Sequence, residues 1–269
     1  MELANLRDCL NLRRVGEGRF EGDNYKLDYH RVFGGQILAQ AITALATVAD
    51  GMTLKSLTQV FSREGSAAEP MTYGVDERHR GRTFATYSIA AQQGERTVGS
   101  GLATLHRPDE GYERQDPAPQ AGSPADAREE HNDLVPWEVR VVGGKDLGSR
   151  DARPATYAFW MRAQTGEGDQ WLQQALLAHA TDLTVIGTGL LPVDGLSQAD
   201  TGTRIHTAVT SHTLWFHQPF ALDDWVLVDQ HSPILTAGRC FGRGDVWTRD
   251  GRLVASFAQE ALVRPIPES

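Results

Sequence analysis

Cysteine is scarce: Cys9 and Cys240 are the only two in 269 residues. Neither has a neighbour at metal-ligand spacing, so the pair reads as reduced thiols rather than a disulfide framework or a zinc site. Long apolar runs are also missing. None approaches the ~18 residues of a membrane span, and the opening Met1-Glu2-Leu3-Ala4-Asn5-Leu6-Arg7-Asp8 carries charge where a secretory leader would be apolar. A cytoplasmic protein is expected. Positive charge is in deficit, with 26 Lys plus Arg against 35 Asp plus Glu and a formal net charge of −9. That balance argues against nucleic acid or anionic lipid as a partner. The strained G-x-S-x-G elbow of serine acyl hydrolases does not occur either. Any hydrolytic chemistry would then use water as its nucleophile.

What is present is a repeat. Gly81 to Pro108 can be laid without gaps on Gly238 to Pro265, matching Gly81 with Gly238, Arg82 with Arg239, Phe84 with Phe241, Gly94 with Gly251 and Leu105 with Leu262. Both stretches read as hairpins, with Gln93-Gly94 and Asp250-Gly251 at the turns, where Gly supplies a positive φ. Leu54 to Phe61 precedes the first hairpin as Val209 to Phe216 precedes the second.

Each half also carries a helix ahead of its strands. From Gly34 to about Val48, apolar residues at 37, 41, 45 and 38, 42 give an i, i+4 stripe, and the helix is apolar almost all round, as a fully enclosed one would be. Asp169 to Asp182 is the counterpart, rich in Ala and Leu. Between them, a stretch dense in Pro, Ala, Gln, Asp and Glu lacks any apolar period and reads as a mobile linker. The expected division is residues 1–108, a linker at 109–133, and residues 134–269.

The words of the sequence resemble the bacterial acyl-CoA thioesterase II family. The resemblance rests on Val32-Phe33-Gly34-Gly35-Gln36 with Gln40-Ala41, Gly81-Arg82-Thr83-Phe84 and Ala90-Ala91-Gln92 in the first half. In the second it rests on Ala180-Thr181-Asp182, on His212 to Phe220, and on Asp250 to Ser256 followed by Gln259-Glu260. It implies an α+β tandem (double) hotdog, each half a central helix wrapped by a curved antiparallel sheet. The activity implied is hydrolysis of fatty acyl-CoA to free acid and CoA, with no metal and no organic cofactor. A homodimer or homotetramer is expected by the same resemblance.

Carried onto this chain, the family's catalytic Asp falls on Asp182 and its Gln on Gln259, while its hydroxyl residue falls on Val209, which can form no side-chain hydrogen bond. Thr210 and Ser211 are the substitutes: Thr210 would point outward unless a bulge intervenes, and Ser211 is expected at the right strand parity. A His is usual in the family where this chain has Lys55. Thioester hydrolysis needs a positioned water, a base and donors at the carbonyl oxygen. Asp182 is the expected base and Gln259 the residue orienting the water. Backbone N–H groups at a helix start suit the oxyanion, which nominates Gly34, Gly35 and Gln36. The first half has Leu54 and Leu102 at the positions matched to Val209 and Gln259, so one active site per chain is expected.

Two other functions fit the same residues. A hotdog enoyl-CoA hydratase or dehydratase would need an acid-base pair, for which His179 beside Asp182 is the candidate. A non-catalytic acyl-CoA-binding protein would explain Val209 and Lys55. Without the resemblance, Asp182 would read as a helix cap, and His212 and His217 as strand residues with satisfied ring nitrogens.

Overall fold

The computed structural model describes residues 2–25, 31–131, 135–166 and 168–267. The first half runs α1 (Leu3–Leu10), β1 (Arg13–Gly16), β2 (Arg19–Gly22), α2 (Gly34–Ala46), β3 (Thr53–Phe61), β4 (Met71–Arg80), β5 (Phe84–Gln93) and β6 (Arg96–His106). The second runs β7 (Arg128–Glu130), β8 (Glu138–Val141), β9 (Thr156–Arg162), α3 (Gln170–Thr181), α4 (Val185–Leu190), β10 (Ile205–Phe216), β11 (Val226–Thr236), β12 (Arg239–Thr248) and β13 (Leu253–Pro265).

All these strands join one antiparallel sheet in the order β1-β2-β4-β5-β6-β3-β10-β13-β12-β11-β9-β8-β7. Its halves meet where β3 pairs with β10, opposing Leu57 to Leu214 and Gln59 to His212. The sheet curls around two central helices. Every α2 residue from Gly35 to Ile42 is buried, as is every α3 residue from Gln173 to Thr181. Side chains such as Ile37, Leu38, Ile42 and Leu45 each contribute roughly 1.5–3 kcal/mol by leaving water. The tandem hotdog expected from the sequence is the architecture observed.

The two central helices are capped differently. Asp169 caps the start of α3, its side chain accepting from the Leu172 N–H, and Asp182 stands at the other end as the C-cap. Helix α2 has no side-chain cap at Phe33, so its first amides are left for other partners.

Two expectations need correction. The ungapped repeat is out of step at the strand level. In the ladders, Leu57 faces Ala103 as His212 faces Gln259, so the first-half counterpart of Gln259 is the buried Ala103, not the exposed Leu102. The slip arises at the turns, because the first hairpin closes with Gln93 opposite Arg96 and the second, with a longer connection, with Trp247 opposite Leu253. The connecting segment is also more engaged than a bare linker. Gln115 bonds Gly251 O and Leu253 N, Ala118, Ala121 and Ala127 pack on the Trp160, Trp225 and Trp247 cluster, and β7 pairs with β8. Its apolar contacts are Ala methyls spaced without period, which is why no amphipathic signal reveals them. Residues 132 and 133 of that stretch lie outside the described residues.

Candidate active site

The C-terminal end of α3 and the N-terminal end of α2 meet at Asp182. Its carboxylate is buried, and the Gly35 N–H donates to it. Burial raises the Asp182 pKa to about 7, against the lowering effect of that one amide. The position at a helix C-terminus, where the dipole is negative, disfavours the anion further. A carboxylate poised there can accept a proton at neutral pH.

Glycine is required on the facing helix. A β-carbon at Gly34 would lie 2.8 Å from Asp182 Oδ2, and one at Gly35 would lie 2.6 Å from His179 O and overlap the Phe33 ring. The close approach of the two helices therefore depends on both.

Below Asp182 lies a row of inward-facing polar residues from adjacent strands. Gln259 on β13 stands opposite His212 on β10, which stands opposite Gln59 on β3. All three are buried to within 1 %. The His212 Nδ1 is 2.8 Å from Gln259 Oε1 and its Nε2 is 3.1 Å from Thr181 Oγ1. An amide oxygen only accepts, so Nδ1 carries the proton and Nε2 accepts from the Thr181 hydroxyl. Desolvation lowers the His212 pKa to about 4, so the ring is neutral and its 3.7 Å approach to Asp182 Oδ1 is not an ion pair. Asp182 and Gln259 thus both stand within 3.7 Å of one imidazole nitrogen.

Several polar atoms there are left without a hydrogen-bond partner. They are Asp182 Oδ1, Gln259 Nε2, and both amide atoms of Gln59. Buried polar groups are nearly always satisfied, and such a concentration of exceptions marks a site for a ligand. An unpaired acceptor on Asp182 and an unpaired donor on Gln259, both residues reaching the same imidazole nitrogen, are the two kinds of partner a water requires.

The structure brings Asp182, Gln259, Gly34 and Gly35 together and leaves the other nominated residues aside. Ser211 does not join them, because Thr210 is a bulge that resets the alternation and puts Ser211 opposite Glu260 rather than on the face of His212 and Gln259. The Thr210 hydroxyl donates to Glu260 O. The Gln36 side chain ties α2 to the segment before it, accepting from the Tyr25 N–H and donating to Asn24, and its own N–H donates to Phe33 O. With the Gly35 N–H committed to Asp182, Gly34 offers an N–H that has no acceptor within the helix. Lys55 sits in the β3 bulge with its amine on His217 O, away from this face.

His179 does not pair with Asp182. Its ring packs edge-on against Phe33 and Trp137, and burial lowers its pKa to about 3. Sequence reasoning passed over His212, Thr181 and Gln59 as site residues. Only the pairing of β3 with β10 aligns Gln59 with the rest.

A cavity of about 320 Å³ opens on the other side of the α3 terminus. Val135, Trp137, Val139, Tyr157, Phe159 and Leu183 line one side of it, and Glu130, Asp146, Thr184 and Gln198 add polar groups to the rest. Among the described residues, no three His, Cys, Asp or Glu side chains converge as metal ligands would.

Residues 26–106 match the acyl-CoA thioesterase N-terminal domain and residues 108–263 the acyl-CoA thioesterase C-terminal domain. The chain is 31% identical to acyl-CoA thioesterase 2 of Haemophilus influenzae over 97% of its length and 98% of that protein. It is 28% identical to human acyl-coenzyme A thioesterase 8, over 96% of this chain and 88% of the human one. Among solved structures, an acyl-CoA thioesterase II from Mycobacterium marinum superposes with a TM-score of 0.83 at 27% identity, covering 97% of this chain and 98% of that one.

Proposed function

Since this chain belongs to the acyl-CoA thioesterase family, we propose that it hydrolyses fatty acyl-CoA at the point where Asp182 and Gln259 converge. The observation that carries this reading is the unpaired pair Asp182 Oδ1 and Gln259 Nε2, buried beside one imidazole. The Gln259 amide donates to a water oxygen, and the Asp182 carboxylate takes a proton as that water attacks the thioester carbon. The Gly34 N–H donates to the carbonyl oxygen as charge develops on it. The C–S bond then breaks, and the CoA thiolate leaves with the proton delivered through Asp182. Neutral His212, held by Thr181, fixes the Gln259 amide so that its NH₂ faces the water. General-base assistance contributes about 10²–10⁴ in rate and an oxyanion donor about 10²–10³.

The acyl chain occupies the apolar side of the cavity, between Trp137, Tyr157 and Leu183, which Ala180 and Leu183 bring up to the end of α3. One polar set per chain is supported by Leu57 and Leu214, which pair where pseudosymmetry relates them to His212 and Gln59. Exposed Val60, Leu102 and Trp215 on the outer sheet face support a homodimer or homotetramer. A cytoplasmic setting agrees with two free, buried cysteines, and no helix among the described residues is long and apolar enough to cross a membrane.

The test is thiol release from acyl-CoAs of graded length by wild type and by Asp182→Asn. Turnover that the variant loses supports the assignment; binding without release by wild type would make this an acyl-CoA-binding protein instead.

A further inference from the structure

Gln59 belongs to neither the catalytic pair nor the support of Gln259, yet it is the least satisfied polar residue in the site. Its side chain is fully buried, and neither Oε1 nor Nε2 has a hydrogen-bond partner. It projects from β3 on the inward face, directly across from His212, with Gly101 as its other cross-strand neighbour. Added β-carbons on Gly99 or Gly101 would overlap its amide, so two residues without side chains make the room it occupies. The related pair in the sheet is Leu57 with Leu214, both fully buried, so the fold itself is content with leucine in that environment. A carboxamide kept there unpaired has a use other than packing.

The free atoms specify what it would bind. One is a donor and one an acceptor, which suits a group able to both accept and donate, such as a secondary amide or a hydroxyl. Acyl-CoA offers a secondary amide close to sulfur, in the pantetheine arm. The cavity lies on the β8 and β9 side of Asp182, whereas Gln59 lies on the β3 side, where the thiol portion of a substrate would extend. We propose that Gln59 is a substrate-binding residue that holds the pantetheine amide nearest the thioester, its Nε2 donating to that amide's carbonyl oxygen and its Oε1 left to accept from a second donor on the arm. The same chemistry on the acyl side would be a hydroxyl a few carbons from the carbonyl. This role for Gln59 rests on the thioesterase reading of the site.

The test compares wild type with Gln59→Met and Gln59→Leu, two apolar replacements of similar bulk, on three substrates: an acyl-CoA, the ethanethiol ester of the same acid, and the 3-hydroxyacyl-CoA of equal length. The expected result is a loss of about tenfold or more in kcat/KM, mainly through KM, on both CoA esters, with the ethanethiol ester unaffected. A loss confined to the 3-hydroxyacyl substrate also supports Gln59 as the binding residue and moves its partner to the acyl chain. Equal losses on all three, or none, would overturn the proposal. Thermal melting of the free proteins is a second readout: removing an unpaired buried amide raises Tm, by about 2–4 °C, whereas a structural glutamine would lower it. If wild type hydrolyses none of the three, the thioesterase reading fails separately, and binding of a non-hydrolysable acyl-CoA thioether to wild type and Gln59→Met decides the role of Gln59.

Discussion

Gly34 and Asp182, from opposite halves of the chain, approach so closely that a β-carbon on the glycine would stand 2.8 Å from the carboxylate Oδ2. Asp182, the proposed base, is therefore positioned by the junction of two helices, each from a different repeat. Gly34→Ala should force that junction apart and lower kcat/KM by about tenfold or more, since misplacing a reacting group by about 1 Å costs up to 10². Steady-state kinetics with circular dichroism would check it. Unchanged kinetics would mean that the junction tolerates a methyl group.

Asp182→Asn should reduce kcat by about 10²–10⁴ while keeping the fold. The raised pKa also predicts a stability effect. The folded carboxyl binds its proton up to about pH 7, whereas the unfolded one releases it near 3.8. Between those values the native state holds more protons, so this group lowers stability as pH rises from about 4 to 7. The Asn variant should melt above wild type at pH 8, by an amount on the order of 2–4 kcal/mol, with the difference fading below pH 4. Denaturant unfolding at the two pH values decides the matter, and a pH-independent difference would contradict the buried-acid account.

With Asp182 as the proposed base, its ionised form is the active one, so kcat should climb with pH through about 7 and level off above it. His212 and His179, held neutral by burial with pKa values of about 4 and 3, add no limb between pH 5 and 7. A profile that falls through this range would assign the base elsewhere.

His212→Leu leaves Thr181 and Gln259 without their shared partner and frees the Gln259 amide to rotate. The loss should be about 1–3 kcal/mol in stability, together with a fall in kcat larger than any rise in KM. His212→Asn restores a donor near the Nδ1 position and should recover part of kcat. Equal activity of the Leu and Asn variants would argue against a positioning role.

Ser211→Ala and Thr210→Val should each leave kcat/KM within about twofold, because neither side chain shares the face of His212 and Gln259. A large loss at Ser211 would mean that the bulge at Thr210 moves when substrate binds.

The helices over Gly34 to Ala46 and Gln170 to Thr181, the strands that follow each, and the duplicated order were legible in the residues themselves. Periodicity, turn glycines and the Asp169 cap are local signals that act within a few residues. Asp182 and Gln259 were legible only through resemblance, since one carboxylate after a helix and one glutamine in a strand look like a cap and a surface residue. The parity of Ser211 was misread because a bulge depends on how two strands pair, and one strand's composition does not encode it.

The chain's residues alone therefore determined its elements and its duplicated order, since each depends on local pattern. Tertiary structure decided which groups share the site. The joining of β3 to β10 set Gln59 beside His212 and Gln259, and the meeting of α2 with α3 set Gly34 against Asp182. These contacts span more than a hundred residues of sequence, and they form because two apolar helices leave water by packing against each other and against one curved sheet.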